Sequence, residues 1–254
     1  MTVFVEVVGR GPNLTMLHGW GLNGAVWNGV RDALAEHYTL HIVDLPGHGH
    51  SHGAATTTIA DMTNAIANAI PARSHVLGWS LGGLIAQDLA RRHARRIDKL
   101  ILVATTPSFL QLDNWPHAVL PAVLADFGTR LSNNYAATIK SFLALQVLNT
   151  PNIRDAVTVL QKAITTHGKT DHVALLSALE ILRVTDLRAQ VPHISHTALV
   201  LQGDHDALTP EPAGRWLAGH LPRAKYVMMP QAAHAPFLSH RTSFLHELNL
   251  FLTE

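Results

Sequence analysis

Short apolar segments of β character alternate with helical segments along most of this chain, and that alternation limits the folds it can adopt. Each apolar segment is short and bounded by turn residues, as is typical of a buried strand. The predicted strands are 3–8, 14–17, 40–44, 75–78, 100–104, 198–203 and 225–229. The predicted helices are 25–37, 59–70, 81–92 and 212–220, and Thr58 with Asp61 forms a capping box for the second of these. This order predicts βαβ units and an α/β fold with a mainly parallel central sheet flanked by helices.

The alternation stops between residues 108 and 185, where the pattern is helical throughout. This segment is rich in Ala and Leu, and breaks fall at Pro116, Pro121, Pro151 and Gly168. They separate candidate helices near 118–127, 132–148, 152–166 and 171–183. We therefore expect residues 1–107 and 186–254 to form the α/β core, and residues 108–185 to form a helical lid inserted into it.

Composition and charge exclude several classes of protein. With 47% hydrophobic and 15% charged residues, a chain of 254 residues can bury a large core. A formal net charge of +1 does not favour nucleic acid or an anionic membrane as a partner, and the lack of cysteine excludes disulfides and thiolate chemistry. Neither a secretory signal nor an apolar run of about 18 residues is evident. We therefore expect a soluble, cytoplasmic protein that is a monomer.

The pentapeptide Gly78-Trp79-Ser80-Leu81-Gly82 joins a predicted strand to a predicted helix. A serine on such a tight turn has a strained backbone and projects above the sheet edge, and the glycines remove side chains that would clash there. The turn also aims the amide of Leu81, at the helix N-terminus, toward a developing oxyanion. The strand before it and the helix after it favour a nucleophilic Ser80 over an incidental serine in a glycine-rich turn.

Two later loops supply the base and the acid that a serine nucleophile requires. In this type of fold the order along the chain is serine, acid, histidine. Asp206 follows the predicted strand 198–203, and His234 follows the predicted strand 225–229. Asp204 is an alternative acid, although its place at the strand end favours a role in turning the chain. Since the chain has 18 histidines, His234 also has the alternative of being an ordinary loop residue.

A glycine-containing loop, His18-Gly19-Trp20-Gly21, follows an early predicted strand. In this type of fold such a loop carries the second oxyanion donor, because glycine lets the backbone approach the substrate. We predict the amide of Trp20 as that donor, beside the amide of Leu81. We expect His18 to brace the loop, with a chemical role as the alternative.

Two clusters of basic residues have competing interpretations. His48, His50 and His52 alternate in one loop, a pattern found in metal sites, but serine chemistry needs no metal and we expect chance histidines. The segment RRHARR at 91–96 looks like a nucleic-acid patch. Since it ends a predicted helix, where cations complement the helix dipole, we expect a solvated helix end. No metal, cofactor or nucleic-acid partner is therefore expected.

Six segments together resemble one known family. They are HGWGLN at 18–23, VDLPG at 43–47, LGWSLGGL at 77–84, FLALQ at 142–146, LEIL at 179–182 and AAHAPF at 232–237. Essentially the whole chain resembles the α/β-hydrolase superfamily, and these segments resemble its pimeloyl-acyl-carrier-protein methyl ester esterases of biotin synthesis. The core motifs are common to many esterases, whereas the two tryptophans and the FLALQ segment are more specific.

The resemblance implies a serine carboxylesterase. It would hydrolyse the methyl ester of pimeloyl-acyl-carrier protein, releasing methanol and a free ω-carboxylate. Residues that the resemblance places at the substrate are Trp20, Ser80, Leu81, Phe142, Leu143, Ala144, Leu145, Gln146 and His234, and Trp79 is a further candidate wall of the acyl site.

By the same resemblance, the insertion would meet an acidic carrier protein transiently through basic side chains. Arg154 falls on a matching basic position, and Lys140 and Lys162 lie near it in sequence. Three positions at which the family pattern has arginine are here Ala137, Ser141 and Thr158.

Other functions use the same residues differently. One alternative keeps the triad but acts as a broad short-chain carboxylesterase or as a hydrolase of carbon–carbon bonds in ring-cleavage products. A second is a non-catalytic ligand receptor on the same scaffold. A haloalkane dehalogenase is disfavoured, because it needs a carboxylate where this chain has Ser80.

Overall fold

A mainly parallel sheet forms the centre of the molecule. The computed structural model describes residues 2–53, 56–150, 153–168 and 170–254. Within these ranges the strands are β1 Val5–Gly9, β2 Asn13–Leu17, β3 Thr39–Val43, β4 Ser74–Trp79, β5 Ile97–Val103, β6 Thr197–Gly203 and β7 Ala224–Met229. Their order in the sheet is β1-β3-β2-β4-β5-β6-β7, and each neighbouring pair is parallel except β1 with β3. The predicted α/β architecture is confirmed, and the strand ends differ from prediction by a few residues.

Helices follow the strands as the alternating pattern predicts. They are α1 Asn28–Ala35, α2 Ile59–Ala69, α3 Leu81–Arg92, α4 Pro121–Asn133, α5 Tyr135–Leu145, α6 Ile153–Thr166, α7 His172–Val184, α8 Glu211–His220, α9 Pro236–Ser239 and α10 Arg241–Thr253. The Thr58 hydroxyl accepts a hydrogen bond from the Asp61 amide at 3.1 Å, so the predicted cap of α2 is present. The predicted helix 25–37 is in part wrong: its first turn is the 3-10 helix Gly24–Trp27, which the Asn23 side chain caps.

Helices cover the sheet, and the buried residues lie between these layers. Helix α3 packs on β4 and β5 and against α2, whereas α1 packs on β1 and β3 and against α10. The central strands β4, β5 and β6 are apolar through most of their length, and the side chains of Val76, Ile101 and Leu199 are fully buried. Near-continuous apolar strands are typical of parallel sheets with both faces covered.

Four helices, α4 to α7, lie in the chain between β5 and β6. Asn134 caps α5 and so separates it from α4, which means that the predicted single helix over 132–148 is in part wrong. Helix α4 contacts α5 and α7, and α6 contacts α5 and the 3-10 helix Gly24–Trp27. The Asn23 amide donates to the Ala163 carbonyl at 2.7 Å, which joins α6 to the loop after β2. None of the described helices is both long enough and apolar enough to cross a bilayer.

The basic segment 91–96 makes intramolecular contacts. Arg91 and Arg92 form ion pairs at 2.9 Å and 2.7 Å with Asp88, whose side chain is fully buried. The Arg96 guanidinium donates to the carbonyl oxygens of Ile70 and Pro71. The two ion pairs lie within α3, whereas Arg96, just after that helix, ties this part of the chain to the residues that follow α2.

Two fully buried histidines pack together in the loops after β2 and β3. The His18 and His48 rings lie 5.4 Å apart, centre to centre. Burial and the nearby His48 lower the pKa of His18 to about 3, and burial lowers the pKa of His48 to about 4. Both rings are therefore neutral at neutral pH. The Leu45 amide donates to Nε2 of His18 at 2.9 Å, so Nδ1 of His18 carries the proton and donates to the Gly19 carbonyl at 2.7 Å. His18 thus braces the two loops, as predicted.

These histidines predict a loss of stability in mild acid. In the unfolded chain both histidines bind a proton as the pH falls below 6.5, whereas in the folded protein they stay neutral until about pH 3–4. Acid therefore favours the unfolded state, and the free energy of unfolding falls as the pH falls through that window. We expect His48→Gln to reduce this dependence by about 1.4 kcal/mol per pH unit, the contribution of one proton. Urea unfolding between pH 6.5 and pH 4.5 measures it. The exposed His220→Gln is the matched control, and equal slopes in His48→Gln and wild type would contradict the prediction.

Candidate active site

Ser80 lies on the sharp turn between β4, which ends at Trp79, and α3, which begins at Leu81. Its backbone has φ 56° and ψ −119°, a conformation that non-glycine residues rarely adopt. The turn is also tightly packed, because a β-carbon at Gly78 would lie 2.3 Å from the Gly82 carbonyl oxygen. Local sequence therefore produces the strained strand-to-helix turn that the pentapeptide predicts.

His234 and Asp206 form a buried pair. Nδ1 of His234 lies 2.8 Å from Oδ2 of Asp206, and both side chains are almost completely buried. The residues come from the loops after β7 and β6, so the carboxyl ends of neighbouring parallel strands bring them together. Since Nδ1–H donates to the carboxylate, Nε2 is the ring nitrogen that remains available. Asp204, the alternative acid, is exposed, and its Oδ1 lies 4.0 Å from Nε2 of the neighbouring His205.

The surroundings of Asp206 keep it ionised. One oxygen, Oδ1, accepts from the amides of Leu208 and Thr209 at 2.8 Å and 2.9 Å. The other, Oδ2, accepts from the Thr209 hydroxyl at 2.7 Å and from the Gln202 amide at 3.0 Å. Burial alone would raise the pKa of Asp206, but the His234 ring and these hydrogen bonds outweigh it and lower the pKa below its ordinary value. A carboxylate held in this way can fix the imidazole orientation and stabilise its cation.

Ser80 and His234 line the same cavity. Within the described part of the chain no hydrogen bond joins the Ser80 hydroxyl to the His234 ring. Such contacts are often long in unliganded enzymes and shorten when substrate binds. Trp79 positions the histidine from behind, because its indole Nε1 donates to the His234 carbonyl at 2.7 Å. Trp79 therefore supports His234, and it is not among the residues that line the cavity.

The loop after β2 approaches Ser80 closely. A β-carbon at Gly19 would lie 3.2 Å from the Ser80 Cβ, so the following residue, Trp20, is also next to the turn. Neither the Trp20 amide nor the Leu81 amide donates to another residue that the structure describes. Leu81 opens α3, where the first amides lack partners within the helix. These two amides are therefore available to an oxyanion.

The cavity itself has a volume of ≈ 140 Å³ and is almost entirely apolar. The residues that line it are Trp20, Ser80, Phe109, Val119, Val123, Leu124, Phe127, Arg130, Phe142, Leu145, Leu179, Leu182, Leu208 and His234. Val123, Leu124, Phe127 and Arg130 recur at helical spacing and so lie on one face of α4, a pattern that is visible in the sequence, whereas Val119 precedes that helix. The Trp20 ring packs edge-on against the rings of Phe127 and Phe142, with distances between ring centres of 5.3 Å and 5.1 Å.

Only part of the predicted 142–146 acyl segment reaches the cavity. Phe142 and Leu145 line it, whereas Leu143 and Gln146 are buried elsewhere and Ala144 is half-buried. The reason is helical geometry: successive residues of α5 point in different directions, so one face meets the cavity and another meets the core. Leu81, which was also predicted at the substrate, lies outside the lining.

The predicted carrier contacts are exposed on neighbouring helices. Lys140 lies on α5, and Arg154 and Lys162 lie on α6, which packs against α5. Ala137, Ser141 and Thr158 are exposed on the same helices. The three cations are thus available to a partner, while the expected arginine positions present uncharged side chains.

The three alternating histidines do not converge on one point. His48 is buried, with Nδ1 near the Pro46 carbonyl at 3.1 Å, and the backbone of His52 pairs with Thr2. His50 instead lies beside Asp44 and His167, and these three side chains form the group of described residues that could hold a metal ion.

Comparison with known proteins identifies the family. A model of the alpha/beta hydrolase fold family matches residues 12–241. The chain is 42% identical to a pimeloyl-[acyl-carrier protein] methyl ester esterase from Chromobacterium violaceum, over 98% of this chain and 97% of that protein. It is 39% identical to the protein of the same name from Nitrosomonas europaea, over 96% and 97% of the two chains.

Among solved structures, an esterase from Exiguobacterium antarcticum superposes with a TM-score of 0.91 at 22% identity, covering 99% of this chain and 96% of that one. At this level of identity the likeness establishes the fold. Together with the match over residues 12–241, it shows that the chain belongs to the alpha/beta hydrolase fold family.

Proposed function

We propose that this protein is a serine carboxylesterase that hydrolyses the methyl ester of pimeloyl-acyl-carrier protein, in biotin synthesis. The observation that supports the chemistry best is the buried Asp206–His234 pair, because its histidine and Ser80 line the same apolar cavity. The relatives at 42% and 39% identity, whose names state this activity, support the choice of substrate.

The proposed mechanism uses the chain's own groups at every step. The Ser80 hydroxyl attacks the ester carbonyl while Nε2 of His234 accepts its proton, and Asp206 stabilises the resulting imidazolium. The amides of Trp20 and Leu81 donate to the oxyanion, each contributing about 2.7–4 kcal/mol to lowering the barrier. His234 returns the proton to the leaving methoxide, and methanol departs. Water then attacks the acyl-enzyme with the same base, which frees the carboxylate and restores Ser80.

The segment 108–185 supports the acyl selectivity of the proposed enzyme, and we propose that it acts as a lid on a core of residues 1–107 and 186–254. Its helices α4, α5 and α7 supply most of the cavity wall, including Val123, Phe142 and Leu179. An apolar wall suits the methylene chain of a pimeloyl group, because burying each methylene contributes about 0.8 kcal/mol.

We further propose that Lys140, Arg154 and Lys162 meet the acidic carrier in a transient encounter with a cytoplasmic, monomeric enzyme. All three are exposed, Lys140 on the wall helix α5 and the other two on α6, which packs against α5. A broader carboxylesterase is the second candidate, because Ala137, Ser141 and Thr158 leave this face with fewer cations than the family pattern.

Replacing the nucleophile tests the chemistry. We expect Ser80→Ala to lower turnover of the carrier-linked methyl ester by at least roughly 10⁴-fold, because no other group can form the acyl-enzyme. Methanol release measures turnover, and circular dichroism checks that the fold is kept. Ser132→Ala, an exposed serine on α4, is the matched control. Substantial turnover by Ser80→Ala would rule out the mechanism.

The two aspartates after β6 give a second test. We expect Asp206→Asn to reduce kcat by roughly 10³–10⁴-fold, since the neutral amide neither holds the required tautomer nor stabilises the imidazolium. Asp204→Asn, two residues earlier and exposed, should stay close to wild type. Steady-state kinetics on the same substrate measure both variants, and a reversed order of effects would assign the acid to Asp204.

Charge reversal on the insertion separates the two candidate substrates. We expect Lys140→Glu with Arg154→Glu to raise KM for the carrier-linked ester about tenfold or more, because repulsion replaces attraction to an acidic partner. KM for a small methyl ester should stay unchanged. Arg10→Glu is the control: Arg10 is exposed and follows β1, whose end pairs with the start of β3, so it lies at the amino ends of the parallel strands and not at the carboxyl ends that Ser80, Asp206 and His234 follow. Equal effects on both substrates would favour the broad carboxylesterase.

A further inference from the structure

Outside the catalytic cavity, the structure brings one carboxylate and two imidazoles together at the edge of the core. Asp44 directly follows β3, His50 lies further along the same loop, and His167 directly follows α6. One potential ligand atom from each side chain lies within 4.8 Å of the other two. Asp44 and His167 are 123 positions apart in the chain, so the fold itself creates this cluster.

The carboxylate of Asp44 is buried and firmly oriented. Oδ1 accepts from the Gly24 amide at 2.6 Å, and Oδ2 accepts from the His50 amide at 2.8 Å. Nδ1 of His167 lies 3.1 Å from Oδ1 and 3.0 Å from Oδ2. Two ligand atoms that each lie about 2.1 Å from one ion are about 3.0–3.5 Å apart, so this nitrogen and these oxygens already have a suitable spacing. The backbone amides act as the outer hydrogen bonds that commonly orient a metal-binding carboxylate.

The two imidazoles are arranged by an aromatic neighbour. The rings of His50 and His167 stack, with their centres 4.7 Å apart and their planes 13° from parallel. The Phe4 ring packs edge-on against both, and its centre lies 4.9 Å from that of His50 and 5.8 Å from that of His167. The His50 ring forms no hydrogen bond to any other residue that the structure describes. It is exposed, and one of its ring nitrogens already lies within 4.8 Å of the potential ligand atoms of Asp44 and His167.

The charge of Asp44 supports the same interpretation. Among the described residues, no Lys or Arg forms an ion pair with its fully buried carboxylate, and His167 is its only potentially cationic partner. A buried carboxylate is costly unless a cation balances it. A divalent ion would balance this charge and would use all three side chains as ligands.

We propose that Asp44, His50 and His167 form a binding site for a zinc-class divalent transition-metal ion that ties the end of α6 to the loop after β3. Two imidazoles and one carboxylate suit such an ion better than Mg²⁺ or Ca²⁺, which prefer oxygen ligands. The site is separate from Ser80, Asp206 and His234, so it goes beyond the proposed esterase and is tested without any assay of ester hydrolysis.

Cobalt titration tests the site, because Co²⁺ replaces Zn²⁺ and its coordination is visible in the absorption spectrum. We expect wild type to bind one Co²⁺ with saturable visible absorption, and Zn²⁺ to displace it. The variants His50→Gln and His167→Gln should both lose this absorption. His52→Gln, an exposed histidine of the same loop, is the matched control and should retain it.

A second measurement excludes general binding to the many histidines of the chain. We expect Zn²⁺ to raise the melting temperature of wild type and of His52→Gln, because an ion that binds only the folded state stabilises it. It should not raise that of His50→Gln, whose exposed side chain can be replaced without loss of the fold. Retention of the cobalt absorption in either ligand variant, or no saturable absorption in wild type, would overturn the proposal.

Discussion

The backbone of Ser80 has a positive φ of 56°, and the rest of the site depends on the contacts that hold it there. A strained residue of this kind costs about 1–3 kcal/mol and persists only where its surroundings determine it. The Ser80 amide donates to the Val103 carbonyl of β5 at 3.0 Å, and its carbonyl accepts from the Gly83 and Leu84 amides and the Thr105 hydroxyl. The neighbouring strand and the first turn of α3 thus determine where the hydroxyl lies, which requires β4 and β5 to pair as they do.

Two hydrogen bonds position the loop of His234, one from the end of β4 and one from the residue that follows α5. On one side the Trp79 indole, next to the nucleophile, donates to the His234 carbonyl. On the other, the Ala235 amide donates to the Gln146 carbonyl at 3.0 Å, just after α5. The FLALQ segment therefore contributes to the site in two ways: Phe142 faces the cavity, and the backbone carbonyl of Gln146 anchors the loop of His234.

Local sequence patterns predicted what depends on a few neighbouring residues, such as the Ser80 turn, the Thr58 cap and the order of strands and helices. They did not predict what depends on how the helices pack. The cavity wall includes Val123 on α4 and Leu179 on α7, which lie far apart in sequence. Likewise, the alternation of histidines suggested a cluster within one loop, whereas side chains in an irregular loop point in different directions. His50 meets a partner from the end of α6 instead.

Ser80, Asp206 and His234 follow strand ends, whereas the residues that line the apolar cavity come mostly from the helices between β5 and β6. Within the described cavity lining, the charged or hydrogen-bonding side chains besides Ser80 and His234 are the Trp20 indole, already bonded to Leu175, and Arg130, paired with Asp126. An apolar wall distinguishes acyl chains that differ by one methylene by only about 1–3 kcal/mol. Selection of a single acyl group therefore needs recognition outside the cavity. The exposed cations of α5 and α6 can supply it, because a carrier protein offers a large charged surface that a small ester lacks.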